Sequence, residues 1–572
     1  MNALKLSVSL ISILVCSFLI SGCSKSESNN ATVTDAGTAT IFTEITDQAG
    51  LNFVHDPAED GSHFMPESAG AGGAFLDYDN DGDLDIYFTN GARHGENANV
   101  SPPLRNRLFR QEADGSFVDV TDASGSGDTG YGMGVAVGDI DNDGDVDIYI
   151  SNYELDALYR NNGDGTFTNI TTSAGIDNRL WGSSVVFFDY DLDGFLDIYV
   201  TNYVAYNPAR VCTDRAGRRE YCGPASFPGV TDVLYHNNGD GTFSNVSAAA
   251  GIAGFSLKGL GVIAADLNGD AYPELYVAND GEPNLLWINQ QDGTFQNQAL
   301  AMGSAVNGIG VAEASMGIAL GDIDNDEDLD LFMTHLRNES NTLYRNTATY
   351  GFQDDTFPTG LAAPSMSYTG FGTGFFDYDH DGDLDLAVVN GRVARGPLLT
   401  DRKPPLYWDY YAEPNLLFEN DEMKRFRDVS HLGGSFCSAI ETSRGLAFGD
   451  VDNDGDLDIL VINDGGPARL FRNDMENKGH WLTIRAIDPA LQRDAIGARI
   501  TVTAGEKRLL RLIAPGYSYL SSNDPRAHFG LAAADKVDEI FVRWPDGQTE
   551  RFPGVAADQI ITLRKGQSRQ SQ

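Results

Sequence analysis

The chain has 572 residues, enough for one large domain and a smaller one. Its 83 acids against 39 bases leave a formal net charge of −44, which argues against nucleic acid and anionic lipid as partners. The 30 Phe and 23 Tyr exclude a wholly disordered chain, and 63 Gly point to frequent tight turns and an all-β fold.

At the N-terminus Lys5 precedes an apolar run from Leu6 to Ile20. This is shorter than the ~20 residues a spanning helix needs and has the form of a signal peptide. Ile20-Ser21-Gly22-Cys23 resembles the lipobox of bacterial lipoproteins. That resemblance implies a signal peptide over residues 1–22, lipidation of Cys23, and membrane attachment through the lipid alone. Ser24 stands where an Asp would imply inner-membrane retention, so delivery to the outer membrane or cell surface is expected. Residues 23–40 are small and polar, the composition of a flexible tether.

Residues 41–477 carry one unit seven times. DYDNDGDLD starts at Asp77, with relatives at Asp139, Asp189, Asp266, Asp322, Asp377 and Asp450, an average period of about 62 residues. Small-residue runs such as GMGVAVG precede the acidic strings, suiting inner strands crowded near an axis. Strands such as DIYISN follow, then LYRNN, then the turn NGDGTF and a short fourth strand. Four strands per repeat predict a seven-bladed β-propeller. Phe42 to Thr46 matches a fourth strand with no blade before it, whereas the last repeat stops after its third strand at Asn473. The first strand is therefore expected to complete the last blade and close the ring.

Each nine-residue string places acids at positions 1, 3, 5 and 9, usually with Gly at 6, which suits Ca²⁺ and its six to eight oxygen ligands. The expected ligands are Asp77, Asp79, Asp81 and Asp85; Asp139, Asp141, Asp143 and Asp147; Asp189, Asp191, Asp193 and Asp197; Asp266, Asn268, Asp270 and Glu274; Asp322, Asp324, Asp326 and Asp330; Asp377, Asp379, Asp381 and Asp385; and Asp450, Asp452, Asp454 and Asp458. Odd positions of these strings hold 32 of the 83 acids, a density that would repel itself without cations. Ala271 and Glu327 occupy the Gly position, so the fourth and fifth sites should be weaker.

The strings and their flanks resemble the FG-GAP (VCBS-type) repeats of integrin α-subunit propellers. From residue 478 onward NKGHWLTIRA, RDAIGARITVTAG, APGYSYLSSNDPRAHFGL and VDEIFVRWPDGQTERF resemble the ASPIC/UnbV domain. Together they have the layout of the cartilage acidic protein family and its bacterial relatives. The resemblance implies a calcium-binding propeller and a small all-β domain over 478–566, followed by a tail at 567–572. Alternating runs (TIRAI, RITVTA, EIFVRW) and the turn at Pro545-Asp546-Gly547 support the all-β reading independently. Basic residues there, Arg499, Lys507, Arg508, Arg511 and Arg543, form either a docking face for the acidic propeller or ordinary solvated strand faces.

Long insertions at 90–107, 203–232 and 391–414 fall between second and third strands, opposite the acidic loops. Cys212 and Cys222 in the second are expected to form a disulfide, leaving Cys437 as a buried thiol. Arg215, Arg218 and Arg219, with Tyr407, Trp408, Tyr410 and Tyr411, are candidates for a ligand face. Packing of the loops on one another is the competing reading. No HExxH, GxSxG, Walker or CxxC motif is present, and the histidines of HDPAEDGSH, His55 and His63, fit structural capping better than catalysis. The functional expectation is a surface adhesion, recognition or scaffold module with an unidentified glycan or protein ligand. The alternative is an extracytoplasmic enzyme of polysaccharide or phosphoester metabolism using the insertion face.

Overall fold

In a computed structural model, residues 40–97, 101–347, 351–421, 425–476 and 478–568 are described. The signal peptide, Cys23 and nearly all of the tether lie outside the described residues, as do the last four residues of the tail.

The repeats form seven four-stranded antiparallel sheets. In the second sheet the strands are Tyr131–Gly138, Asp147–Tyr153, Ala157–Asn161 and Phe167–Asn169, paired in chain order. The seventh is made from Ser443–Gly449, Asp458–Asn463, Arg469–Asn473 and, from the other end of the chain, Phe42–Glu44. Phe42 pairs with Asn473 and Glu44 with Phe471, the closure expected from the unmatched strands.

Apolar side chains fill every junction between neighbouring sheets, because each sheet is covered on both faces and its middle strands have no polar side. Val135, Val137 and Ile148 of the second sheet pack on Ala74, Leu76 and Tyr87 of the first. Ala136, Tyr149 and Leu158 pack on Val185, Phe187 and Ile198 of the third. The last junction joins Phe75, Ile86 and Phe88 of the first sheet to Leu460, Ile462 and Leu470 of the seventh, leaving no open edge in the ring. Glycines let the inner strands come close: a Cβ on Gly134 would lie 2.5 Å from the Ser183 carbonyl oxygen of the next sheet.

Behind the ring two further four-stranded sheets enclose a core that includes Leu482, Ile484, Ile500, Val502, Phe529, Ile540 and Trp544. Between the strands Lys507–Leu512 and Ala527–Ala532 the chain leaves this sandwich and enters the centre of the ring. Ser518 exchanges backbone hydrogen bonds with Ile318 (2.8 and 3.0 Å), Ser522 does so with Gly73 and Phe75 (3.1 Å each), and Val135 N–H donates to Leu520 (3.2 Å). The inner strands thus have axial backbone groups satisfied by protein. Tyr519 is 1% exposed, donates its hydroxyl to the Ala69 carbonyl at 2.9 Å, and packs edge-on against Phe371 at 5.0 Å.

Candidate metal centres

Each acidic string is the turn from the first strand of a sheet to its second, and its wrapping is dictated by its own carboxylates. In the second loop Asp139, at position 1, accepts the N–H of Asp143 (3.3 Å) and Gly144 (2.8 Å). Asp147, at position 9, accepts the N–H of Ile140 (2.9 Å) and, from the third strand, of Asn161 (2.7 Å). Asp143, at position 5, caps the turn by accepting the Asp145 N–H at 3.0 Å. Asp141, at position 3, has a buried oxygen with no such duty: its Oδ1 makes no hydrogen bond. Asp79 Oδ1 and Asp324 Oδ1, also at position 3, are orphaned in the same way, and in the sixth loop the orphaned oxygen is Asp377 Oδ1 at position 1.

Backbone geometry repeats as closely as the hydrogen bonds. Position 6 is left-handed in all seven loops, at Gly82, Gly144, Gly194, Ala271, Glu327, Gly382 and Gly455, with φ between 70° and 99°. The strain expected at Ala271 and Glu327 is therefore present. Position 4 is left-handed as well, at Asn80, Asn142, Leu192, Gly269, Asn325, His380 and Asn453. The sequence reading missed this second reversal, although Asn in four of the seven strings was a signal for it.

In the first three loops the ligand atoms of positions 1, 3 and 9 lie within 4.8 Å of one another: Asp77, Asp79 and Asp85; Asp139, Asp141 and Asp147; Asp189, Asp191 and Asp197. Burial, above all else, pushes Asp139 up to about 6, Asp450 to about 7, and Asp85 and Glu274 to about 8. Carboxylates so placed favour either a proton or a cation. Converging carboxylate oxygens, oxygen-only donors within the strings and the doubly reversed turn fit Ca²⁺. Asp266, Asn268, Asp270 and Glu274 fit it less well. Asn268 turns its amide nitrogen to Glu274 at 3.0 Å, and the Arg543 guanidinium sits 3.0 Å from Asp266.

The C-terminal domain docks on this face of the ring, deciding between the two readings of its basic residues. Arg499 donates to the carbonyls of Asp266 (3.2 Å) and Glu327 (2.6 Å), Arg543 to Gly269 (3.0 Å), and Lys507 to Asp381 (2.6 Å). Arg508 reaches Glu327 Oε2 at 3.0 Å, and Arg511 is buried in the field of Asp377 and Asp322. Arg493 and Arg526, which sequence patterning did not single out, do the same at Gly194 (3.1 Å) and Asp450 (2.9 Å). Most of these bonds use carbonyl oxygens and leave the carboxylates free for a cation.

The insertions lie at the opposite ends of the strands. Cys212 and Cys222 are joined by a disulfide, and Cys437 is buried. Arg215, Arg218 and Arg219 are exposed, with Arg218 held to Asp214 at 2.7 Å. Trp408 and Tyr411 are not available as ligand contacts, a correction to the expectation: both are buried, Trp408 stacking on Tyr221 and Tyr411 donating to Glu220 at 2.7 Å. Apolar rings on two facing loops gain more by packing on each other than by facing water. Tyr407 and Tyr410 remain part-exposed on the rim of that cluster. His55 is buried 3.4 Å from Asp464, and burial followed by the Arg444 charge pushes its pKa down to about 3. His63 packs against Tyr221 with ring centres 5.1 Å apart. A further group, Asp60, Glu67 and His94, was not anticipated; Glu67 takes His94 at 3.2 Å and the Tyr221 hydroxyl at 2.8 Å.

An FG-GAP-like repeat model matches residues 77–150, 143–200, 225–277, 266–333 and 322–388, and an ASPIC and UnbV model matches residues 488–570. Cartilage acidic protein 1 of Homo sapiens is 26% identical over 312 residues, 53% of this chain and 43% of that protein. Its Mus musculus counterpart is 26% identical over 360 residues, 59% of this chain and 51% of that protein. The matches thus span about half the length of these relatives. Among solved structures, an Agrocybe aegerita lectin described for recognition of non-reducing terminal N-acetylglucosamine aligns with TM-score 0.37 and 16% identity, over 65% of this chain and 82% of its own. Rhamnogalacturonan lyase YesW aligns with TM-score 0.36 and 14% identity, over 70% of this chain and 71% of its own.

Proposed function

Because the chain belongs to the FG-GAP-like repeat family and carries an ASPIC and UnbV domain behind its repeats, we propose that it is a calcium-dependent recognition module of the adhesion type, held at the bacterial cell surface, and not an enzyme. The observation that carries this reading is the convergence of the position-1, position-3 and position-9 carboxylates in the first three loops, joined at Asp79 and Asp141 by a buried position-3 oxygen with no hydrogen bond. Seven bound Ca²⁺ would lower the formal charge from −44 to −30 and relieve repulsion within each loop. Their effect is structural: they stiffen the face on which the C-terminal domain docks.

Recognition belongs to the opposite face. There the exposed Arg215, Arg218 and Arg219 beside the disulfide, with the rims of Tyr407 and Tyr410, offer cationic and aromatic groups on an acidic protein. An anionic glycan or an acidic protein surface is the ligand this chemistry fits. The pattern ending at Cys23 supports a lipid anchor that would hold the protein at the cell surface. The test is a screen of immobilised glycans and surface proteins against the full chain in calcium and in EDTA. Binding that needs calcium and falls in R215A/R218A/R219A supports the reading. Retention of all binding in both the variant and EDTA overturns it.

A further inference from the structure

The seven loops differ in one residue outside the acidic string. It is the next-to-last residue of the core of each third strand, beside position 3 of the string in the sheets where it is charged. It is Arg110, Arg160, Arg345 and Arg472 in four sheets, Ile288 in the fourth and Glu419 in the sixth. The arginines supply a positive charge to their loops; Arg345 goes furthest and bonds Asp324 directly. In the third sheet the residue is His236.

His236 Nδ1 stands 3.2 Å from Asp197 Oδ1 and 3.5 Å from Asp191 Oδ2. The nitrogen is buried between these two carboxylates, and the Tyr190 ring lies edge-on to the imidazole at 5.9 Å. Asp191, Asp193 and His236 form a second group with ligand atoms within 4.8 Å of one another, overlapping that of Asp189, Asp191 and Asp197. Ligands about 2.1 Å from one ion, at tetrahedral to octahedral angles, are about 3.0–3.4 Å apart, close to the spacing around His236. The third loop also has one carboxylate fewer than five of the other loops, with Phe195 at position 7 where those five have Asp.

We propose that the third loop is a mixed nitrogen–oxygen site for a first-row transition metal ion of the Zn²⁺ type, with His236 Nδ1 as a ligand beside Asp189, Asp191 and Asp197. Imidazole suits such ions, whereas Ca²⁺ is a hard ion that takes oxygen donors. An arginine at this place has no lone pair to give a metal ion; a neutral imidazole has one. One ring of otherwise similar loops then holds two kinds of metal. The proposal rests on reading the loops as cation sites.

The experiment uses the full chain in millimolar Ca²⁺, titrated with Zn²⁺ alone and counted by mass spectrometry of both metals after dialysis. Wild type retains one Zn²⁺ that Ca²⁺ does not displace, and Co²⁺ in its place gives the spectrum of a nitrogen-ligated ion. In H236R, which installs the residue found in four sibling sheets, Zn²⁺ binds about 100-fold more weakly while the calcium count of the other loops is kept. H236Q serves as a second variant should H236R lose calcium generally. Equal Zn²⁺ retention in wild type and in the variant that keeps its calcium overturns the proposal, as does calcium binding without Zn²⁺ retention. Absence of both metals from wild type removes the calcium reading itself.

Discussion

Positions 3 and 9 of a loop look alike in sequence but differ in what they hold, and the second loop lets them be separated. Asp141 makes no hydrogen bond through its Oδ1, whereas Asp147 accepts two backbone N–H groups, from Ile140 and Asn161. In Asp141→Ala only the metal is lost. At calcium about tenfold above Kd, one site contributes about 1.4 kcal/mol, so that is the expected destabilisation. In EDTA the same variant should be neutral or slightly stabilised, because Asp141 is crowded by the like charge of Asp143. In Asp147→Ala two buried N–H groups lose their acceptor, at about 1–3 kcal/mol each, or about 2–6 kcal/mol regardless of calcium. Calcium adds its ~1.4 kcal/mol to that loss. Urea unfolding followed by tryptophan fluorescence, with and without EDTA, measures all four values. A loss in Asp141→Ala that is as large in EDTA as in calcium would refute the assignment of position 3 as a ligand.

Three other outcomes are expected. Removing residues 41–47 strips the outer strand from Arg469–Asn473 and the fully buried Phe42 from its cluster with Phe376 and Phe436, so the variant should aggregate on size-exclusion chromatography. A soluble monomer would count against ring closure by that strand. Tyr519→Ala empties the centre of the ring and should cost about 3–5 kcal/mol, seen as faster proteolytic release of the C-terminal domain; unchanged release would mean that the inserted segment holds nothing. Cys23→Ala should move the protein from the membrane fraction to the soluble one, and persistent membrane association would rule out the lipid anchor.

Much of this architecture is local and periodic, and for that reason it could be read from the chain alone. Four strands and one loop fit within a period of about 62 residues, and each string carries its own carboxylates and reversals, so neighbours in sequence settle the geometry. Even the joining of Phe42–Glu44 to Arg469–Asn473 followed from counting strands that lacked partners. What the repeats could not reveal is whatever depends on residues hundreds of positions apart. Ser518 against Ile318, Arg526 against Asp450 and Arg493 against Gly194 have no sequence periodicity, so the basic residues of the C-terminal domain read equally as a solvated face. Trp408 and Tyr411 looked like a recognition surface because nothing in their own loop reveals that Tyr221 and Glu220 arrive from another. Sequence alone gives His236 no partner, because it lies on the third strand, outside the acidic string. Its side chain meets Asp191 and Asp197 only because the two segments, about 40 residues apart, are registered in one sheet, and that register was decided by tertiary packing.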